Sequence, residues 1–485
     1  MTGRLGGLVA RLRSAATGGA GDGPPAGLHV FRFAAGGGTT RLQLRVERDG
    51  RGLLFVDAND VVRLSGSATE LAWQALRDVP AARAVPALAG RFRGVTRATL
   101  AADFARVERI VRTLADPTRA CRTCAAELER TAPFGERPAA PYKADVALTY
   151  ACENRCPHCY NEPGRVATPS LDVDGFRAVL DRLATLGVPH VVFTGGEPTA
   201  HPGLVELVRH AEGLGLVAGL NTNGRRLARP GFAEALAAAG LDHLQVTLES
   251  HDPAVHDAMV GAAAHAETVE GIRRAVAAGL HVSTNTTLTR VNAAGLEETF
   301  AFLAGLGVRT AAANAVIRAG GGADNPDALP VERLGPLLVC ARDAAHERGL
   351  RFLWYTVTRY CELSPLELEL GPRRCNAGEY SICVEPDGAV LPCQSWYEPA
   401  GHLLRDPWES IWDGPLFRSF RCRGSEPEAA GLPTECRECI DFEVCGGGCR
   451  LDREPRAGAR AACGLRGSGR SARVDRGPGV EASSC

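Results

Sequence analysis

The sequence predicts an α/β fold built on a parallel β-sheet, preceded by an α+β domain and followed by a cysteine-rich domain. The main evidence is an alternation of short β-rich runs with amphipathic helices, which is the pattern of right-handed βαβ units. Polar turns directly follow several of these runs, where ligands bind in parallel α/β barrels. The expected strands are residues 144–150, 188–193, 216–220, 243–248, 281–288 and 308–317.

The first helix of this region shows why the alternation predicts a sheet covered by helices. Its apolar residues recur at helical spacing, so one face of the helix can pack on the sheet. These residues are Phe176, Val179, Leu180, Leu183 and Leu186.

Composition excludes several classes of protein. The chain has 485 residues, 45% of them hydrophobic, which is enough for two or three domains. With 55 basic and 56 acidic residues the net charge is −1, which disfavours nucleic acid as a partner. No apolar run approaches the roughly 20 residues of a membrane span. We therefore expect a cytoplasmic protein whose 17 cysteines are metal ligands and buried thiols, not a disulfide framework.

The most specific motif is Ala-Cys-Glu-Asn-Arg-Cys-Pro-His-Cys-Tyr at residues 151–160. Its cysteines, Cys152, Cys156 and Cys159, can supply three thiolates to an iron–sulfur cluster. A four-iron cube normally takes one thiolate per iron, so three would leave one iron open to a small molecule. A zinc clip or a chance grouping of thiols is the alternative interpretation.

The second motif is Thr-Gly-Gly-Glu-Pro at residues 194–198, where the next apolar strand runs into a tight glycine turn. Exposed backbone amides at Gly195 and Gly196, with Glu197 beside them, suit a zwitterionic amino acid. An ordinary turn is the alternative, because this tripeptide is common. Its place one strand after the cysteine loop favours a functional role.

Together the two motifs resemble the radical S-adenosylmethionine (SAM) superfamily. The resemblance implies a partial (β/α)6 TIM-type barrel whose three cysteines bind a [4Fe–4S] cluster and whose Gly-Gly-Glu turn holds the methionine amino group. It also implies reductive cleavage of SAM to a 5′-deoxyadenosyl radical. The further SAM contacts that it implies are His158 and Tyr160 near the adenine, Glu249 and Ser250 near the ribose or methionine carboxylate, and Asn223 and Asn285 at strand ends. A helix cap is the alternative for Glu249 and Ser250.

A second group of cysteines lies near the C-terminus. A hairpin with a Pro-Asp-Gly turn at residues 386–388 separates two of them, and a Cys-x2-Cys-x5-Cys-x3-Cys run follows. A zinc ribbon is the alternative for that run. Eight thiols match two four-iron cubes, and the layout resembles the SPASM extension of radical SAM enzymes. The resemblance assigns Cys375, Cys383, Cys393 and Cys449 to one auxiliary [4Fe–4S] cluster and Cys436, Cys439, Cys445 and Cys463 to another, with the role of Cys383 left open.

The remaining cysteines carry weaker signals. Cys340 lies on an apolar helical face and is expected in the core. The Cys121-x2-Cys124 pair could bind metal, but no partner pair is evident, which favours a structural or incidental role. Cys361 precedes the C-terminal domain and could face the active site.

The N-terminal region predicts three short strands between residues 28 and 64, then helices at residues 68–76, 85–92 and 96–114. This winged arrangement resembles the RiPP recognition element, which binds leader segments of ribosomal precursor peptides. The resemblance implies that a leader adds as a strand to the edge of the sheet. A DNA-binding winged helix is the alternative, and the near-neutral charge disfavours it.

These observations predict a radical SAM/SPASM maturase that oxidatively modifies, and cross-links, a ribosomal precursor peptide. A flavodoxin or ferredoxin would supply electrons. The alternatives are a radical SAM enzyme acting on a small molecule such as a tetrapyrrole, and a binding module with structural clusters. The expected segments are a tail (1–27), the recognition element (28–116), a linker (117–142), the barrel (143–320), a connection (321–372), the SPASM domain (373–465) and a second tail (466–485).

Overall fold

The computed structural model describes residues 23–35, 38–56, 60–119, 121–128 and 138–453. The chain divides into two compact units. One contains residues 1–135, 180–190 and 213–217, and the other contains residues 136–179, 191–212 and 218–485. Cys463 and the predicted C-terminal tail lie outside the described residues, as do residues 1–22 of the predicted N-terminal tail.

The N-terminal domain is a four-stranded antiparallel sheet covered by helices. Its strands are β1 (Gly27–Ala35), β2 (Gly38–Val46), β3 (Gly52–Val56) and β4 (Asp60–Leu64), in spatial order β1-β2-β3-β4. Its helices are α1 (Gly66–Leu76), α2 (Ala81–Ala89), α3 (Arg97–Ala115) and α4 (Arg122–Ala125). The prediction of three strands is therefore wrong. The sequence has three glycines at positions 36–38, a composition that permits a chain reversal, and the prediction did not treat them as a turn.

One face of this sheet forms a core with the helices. Leu42 and Leu44 of β2 are fully buried against Trp73 of α1 and Leu114 of α3. Alternate residues of a strand point to opposite faces, so the apolar positions of β2 reach this core together.

The segment with the Cys-x2-Cys pair belongs to the same domain. Cys121 and Cys124 form a disulfide and are therefore not a pair of free thiols that could bind a metal. The Arg122 guanidinium donates to the Thr40 hydroxyl at 3.0 Å, and Leu128 packs against the core of the sheet. Residues 121–128, expected in a linker, thus extend the N-terminal domain.

The second sheet has ten strands in the order β11-β10-β9-β8-β7-β6-β5-β12-β13-β14. Six of them correspond to the six predicted strands: β5 (Lys143–Thr149), β6 (His190–Gly195), β7 (Val217–Thr222), β8 (His243–Thr247), β9 (His281–Leu288) and β10 (Thr310–Ala315). The others are β11 (Arg351–Trp354), β12 (Ser381–Val384), β13 (Ala389–Leu391) and β14 (Gly401–His402). The sheet is open, as a partial barrel requires.

The edges of this sheet differ in direction. β11 extends it by pairing parallel to β10, and β12 pairs parallel to β5. β13 then runs antiparallel to β12, which confirms the predicted hairpin around the Pro-Asp-Gly turn. The hairpin is therefore continuous with the strand that leads into the cysteine loop.

Helices separate the strands of this sheet. They are α5 (Val173–Thr185), α6 (Leu204–Leu214), α7 (Phe232–Ala239), α8 (Pro253–Val260), α9 (His265–Ala277), α10 (Leu296–Gly305) and α11 (Val331–Glu347), followed by α12 (Trp408–Trp412), α13 (Pro415–Arg421) and α14 (Phe442–Cys445). The apolar face predicted for α5 is confirmed at Phe176, Val179, Leu180 and Leu183, which are fully buried, whereas Leu186 follows the helix and is half-buried. Cys340 of α11 is exposed, so the expectation that it lies in the core is wrong. Within the described part of the chain, no helix is long and apolar enough to cross a membrane.

Candidate active site

The cysteine loop directly follows β5. Cys152, Cys156 and Cys159 are free thiols that influence one another electrostatically, and the Cys159 amide donates to the Cys156 carbonyl at 3.1 Å. Desolvation by the surrounding protein raises the pKa of Cys152 to about 11, although this residue is exposed, and burial also raises the pKa of Cys156. Iron would reverse this effect, because a bound cation favours the thiolate. Three adjacent thiols without a fourth in the loop fit a cluster with one open iron.

The glycine turn lies against the end of β5. Gly195 has φ +133°, and a Cβ there would lie 2.1 Å from the Thr149 carbonyl oxygen, so only glycine fits. The Gly196 amide donates to the Thr149 carbonyl at 2.7 Å, and the Glu197 amide donates to the Ala151 carbonyl at 2.9 Å. The expectation of an exposed Gly196 amide is therefore wrong. The turn uses that amide to hold the chain that enters the cysteine loop.

Glu197 is fully buried and joins the ends of two strands. Its Oε1 accepts from the Thr199 amide at 3.0 Å, the Thr199 hydroxyl at 2.6 Å and the Thr222 hydroxyl at 2.7 Å, while Oε2 accepts from the Asn223 amide at 2.7 Å. Burial raises the pKa of Glu197 despite these donors. A carboxylate offers about four acceptor sites, so its hydrogen-bonding capacity is taken up within the fold.

Three buried asparagine atoms near the strand ends have no hydrogen-bond partner among the described residues: Asn161 Oδ1, Asn223 Nδ2 and Asn285 Oδ1. Leaving such an atom unpaired costs about 1–3 kcal/mol, which a bound ligand can offset. Asn161 also donates to the Gly195 carbonyl at 3.0 Å. Sequence reasoning missed Asn161, although it lies two positions after the last cysteine of the motif.

His158 and Glu249, both predicted to contact SAM, contact each other. His158 Nε2 lies 3.0 Å from Glu249 Oε1, and Glu249 Oε2 accepts from the Thr287 amide at 2.7 Å. Burial lowers the pKa of His158, but the Glu249 charge and hydrogen bond outweigh it and leave the pKa above its usual value. The Ser250 hydroxyl accepts from the Asp252 amide at 3.0 Å, a bond that supports the turn before α8.

A cationic hub missed by sequence reasoning connects the cysteine loop to the hairpin. The guanidinium carbon of Arg165, Cζ, lies 4.2 Å from the centre of the Tyr150 ring and 4.3 Å from the centre of the Tyr397 ring. The guanidinium also donates to the Glu385 carboxylate. The Tyr150 hydroxyl also donates to Glu385 at 2.5 Å, and the Tyr397 hydroxyl donates to the Tyr160 carbonyl. Burial raises the pKa of Tyr160. The main chain beside Cys159 is thereby tied to the segment that contains Cys393.

The four thiols predicted for the first auxiliary cluster are linked electrostatically, since, in addition to burial, Cys375 and Cys393 raise the pKa of Cys449 and Cys393 raises that of Cys383. Burial raises the pKa of Cys393 to about 11. Cys383 lies on β12 with its Sγ 3.9 Å from Glu385 Oε1. Its neighbours are thus carboxylates as well as Cys393.

The described thiols predicted for the second auxiliary cluster lie in the last part of the structure. Cys436 and Cys445 are buried, the Cys439 amide donates to the Cys436 carbonyl, and the Tyr360 amide donates to Cys445 Sγ at 3.4 Å. The glycines at 446–448 all have positive φ, which explains this run. Among the described residues, no three side chains of His, Cys, Asp or Glu lie together in an arrangement that could hold a single metal ion.

A charged pair in β5 was also missed. Lys143 Nζ lies 3.0 Å from Asp145 Oδ1, and Asp145 is 9% exposed. Burial opposes the charge of Lys143, but Asp145 and its hydrogen bond raise the pKa of Lys143 above its usual value. Asp145 pairs in register with Cys383 of β12. Two charges in an otherwise apolar strand were the available sequence signal.

Comparison with known proteins identifies the family. Residues 146–303 match the model of the radical SAM superfamily, and residues 375–440 match that of the SPASM iron–sulfur cluster-binding domain. The PqqA peptide cyclase of Streptomyces rochei is 31% identical over 342 residues, which cover 67% of this chain and 90% of that relative. The chain belongs to the radical SAM superfamily. Mycofactocin maturase MftC of Mycobacterium ulcerans is 31% identical, over 64% of this radical SAM enzyme and 83% of the relative.

Solved structures share the fold. Streptococcus suis SuiB bound to its precursor peptide SuiA has a TM-score of 0.62 and 15% identity, over 84% of this radical SAM enzyme and 94% of SuiB. A SAM-bound structure of anSMEcpe with a Kp18Cys peptide has a TM-score of 0.52 at 15% identity, over 65% of this chain and 92% of that one.

The family establishes the cofactors as SAM and [4Fe–4S] clusters, with auxiliary clusters in the SPASM domain. The donor set fits this chemistry. The cysteine loop offers three adjacent free thiols, and buried asparagine atoms near the strand ends lack partners among the residues described.

Proposed function

We propose that this radical SAM enzyme cross-links a ribosomally made precursor peptide. Relatives named as a peptide cyclase and a maturase support the proposal, as does the fold shared with an enzyme solved with its precursor peptide. The structural observation that carries it is the N-terminal domain, whose four-stranded sheet ends in the edge strands β1 and β4. An open edge can take up an extended peptide by main-chain pairing.

In this proposal Cys152, Cys156 and Cys159 hold the SAM cluster. Gly195, Gly196, Asn161, Asn223 and Asn285 surround SAM. Glu197, His158 and Glu249 brace the strand ends, and Ser250 supports the turn before α8. The auxiliary ligands are Cys375, Cys393 and Cys449 for one cluster, with Cys383 beside them, and Cys436, Cys439, Cys445 and Cys463 for the other.

When bound, SAM would supply a 5′-deoxyadenosyl radical, which would remove one hydrogen atom from the substrate. The clusters would supply an acceptor for the electron that is released when the second hydrogen leaves as a proton. That proton needs a base. Asp145 accepts it in this proposal, because it is a nearly buried carboxylate, and Lys143 Nζ lies 3.0 Å from its Oδ1.

The proposed partners are the precursor peptide and an external electron donor, a flavodoxin or ferredoxin. The cytoplasm is the proposed location, because ribosomal precursors are made there. The proposed domain bounds remain those predicted from the sequence, except that the N-terminal domain extends to residue 128, since Leu128 packs on its core.

A leader-exchange experiment tests the role of the N-terminal domain. The reconstituted full-length enzyme is given SAM, dithionite and either the full precursor or the same peptide without its leader. We expect modification of the leaderless peptide to fall at least about tenfold, which corresponds to losing about 1.4 kcal/mol of binding, while uncoupled SAM cleavage stays unchanged. Equal modification of both peptides would refute the assignment of the domain.

Hydrogen exchange then locates the peptide. Adding the leader should slow exchange of the amides of an edge strand, residues 27–35 or 60–64, because a paired edge strand no longer donates to water. A scrambled leader of the same composition serves as the control. Protection at neither edge would exclude strand addition.

A further inference from the structure

An arginine-rich surface lies beside the cysteine loop. Residues that follow β7 form an open cleft of about 470 Å³, and Glu153 of the cysteine loop contributes to its wall. The remaining lining residues are Arg225, Arg226, Ala228, Arg229, Pro230 and Glu267. The cleft is therefore lined by Glu153, the residue that follows Cys152 in the chain. Cys152 itself is exposed.

The two acidic groups of this cleft are matched by two of its arginines. Arg225 Nε lies 2.5 Å from Glu267 Oε2, and the Arg225 guanidinium also donates to Asn154 Oδ1 at 3.0 Å. Arg226 lies 3.7 Å from Glu153. These pairs connect the cleft to the cysteine loop. Because Glu267 and Glu153 balance the charges of Arg225 and Arg226, any excess positive charge near the cleft comes from other arginines.

Arg155 and Arg229 supply that charge. Both are exposed, and neither has an ion pair within the described residues. The main chain at Arg155 is firmly held, since its amide donates to the Val260 carbonyl at 2.9 Å and Gly261 packs on its carbonyl oxygen. An excess of positive charge thus surrounds the exposed side of the cysteine loop, although the whole chain has a net charge of −1.

We propose that this surface, centred on Arg155 and Arg229, docks the small acidic one-electron carrier protein that reduces the enzyme. The inference rests on the proposed function, because that function requires an external donor. Complementary charge steers a partner to a surface and raises its association rate. Electron transfer becomes slow over long distances, so a donor gains most by docking where a cluster ligand reaches the surface, and Cys152 is exposed here.

Binding of oxidised flavodoxin to the reconstituted enzyme tests the proposal, with Arg229→Glu as the main variant. Because Arg229 is exposed and unpaired, the variant should fold normally. We expect Kd at low salt to rise about tenfold or more, with a weaker dependence of Kd on salt. Arg209→Glu, an exposed position on α6, is the matched control and should bind flavodoxin like the wild type.

Two activity measurements separate docking from damage. With flavodoxin hydroquinone as the donor, SAM cleavage by Arg229→Glu should fall about tenfold, whereas cleavage driven by dithionite should stay within about twofold of the wild type. The control Arg209→Glu should show no such split between the two reductants. Unchanged flavodoxin binding in Arg229→Glu, or an equal loss with both reductants, would overturn the proposal.

Binding of a labelled leader peptide separates the remaining outcomes. If Arg229→Glu weakened leader binding and left flavodoxin binding intact, the surface would be a peptide site and the inference would be wrong. If the flavodoxin effect appeared but no precursor were modified, the docking surface would stand and the proposed function would fail.

Discussion

The cysteine loop and the SPASM region both gather thiols, but by different means. Cys152, Cys156 and Cys159 lie within eight consecutive residues, so their proximity is a local property of the chain. Cys375 and Cys449 are separated by more than seventy residues, and tertiary structure brings them together. Spacing in the sequence can therefore identify the first site directly, whereas the second depends on how the surrounding strands pair.

The cysteine loop also depends on tertiary packing, through glycine. A Cβ at Gly321 would lie 2.7 Å from the Pro157 carbonyl oxygen, and one at Gly196 would lie 2.5 Å from that of Tyr150. Main chain from two distant segments thus packs directly against the loop and its approach. The local motif supplies the thiols, and the glycines supply the space that the loop requires.

Removal of the three loop thiols should have the largest effect. Replacing Cys152, Cys156 and Cys159 with alanine is expected to abolish SAM cleavage and to remove about four of about twelve irons per chain, because each cube holds four. Iron analysis and chromatography of 5′-deoxyadenosine measure both. Stoichiometric zinc in the wild-type protein, or full iron in the variant, would contradict the assignment.

Crowding the loop should have the next largest effect. Gly321→Ala places a methyl group against backbone that cannot easily move, which should cost about 1–3 kcal/mol and lower the iron content of the loop site. Gly213→Ala is the control, since a Cβ there meets nothing within 4 Å. Denaturant unfolding of both apoproteins provides the comparison, and equal stability would show that the loop adapts to the methyl group.

The SPASM thiols should differ among themselves. Cys393→Ala is expected to remove up to four irons, whereas Cys383→Ala should retain nearly all of them, because its thiol lies beside Glu385. Mössbauer spectra of the two variants distinguish the clusters. Equal iron loss in both variants would make Cys383 a fourth ligand, as the SPASM resemblance originally assigned it.

The connection between the two regions should contribute least. Arg165→Lys keeps the charge but loses the planar stacking on Tyr150 and Tyr397, so the free energy of unfolding should fall by about 1–2 kcal/mol. Arg177→Lys, at a half-buried surface position whose guanidinium pairs with Asp174 and Glu206, should change the free energy of unfolding by less than about 1 kcal/mol. Thermal unfolding of both variants measures the difference, and similar values would mean that the buried hub is unimportant.

Much of the fold was predictable because strand and helix periodicity is local. All six barrel strands were anticipated, with shifts of at most two residues at their ends, as at β6. The four-residue β11 is too short to show a period. The glycines at positions 36–38 were not interpreted as a turn, so the prediction missed one strand of the N-terminal sheet. The barrel strands and the cysteine motifs were thus within reach of the sequence.

Contacts between residues that lie far apart in the chain could not be predicted from the sequence. His158 and Glu249 are 91 positions apart, so their pairing depends on where β8 ends relative to the cysteine loop. The same holds for Arg165 and Glu385, and for the contact of Gly321 with Pro157. Sequence reasoning identified the candidate ligands of the site, while the residues that brace them required the structure.

The central claim is that this radical SAM enzyme cross-links a ribosomal peptide. The most direct measurement is the mass of a precursor, encoded near the enzyme, after anaerobic incubation with enzyme, SAM and reductant. We expect a product about two hydrogens lighter, with at least one 5′-deoxyadenosine formed per product, because one hydrogen leaves with the radical and the other as a proton. SAM cleavage with an unchanged precursor mass would contradict the claim.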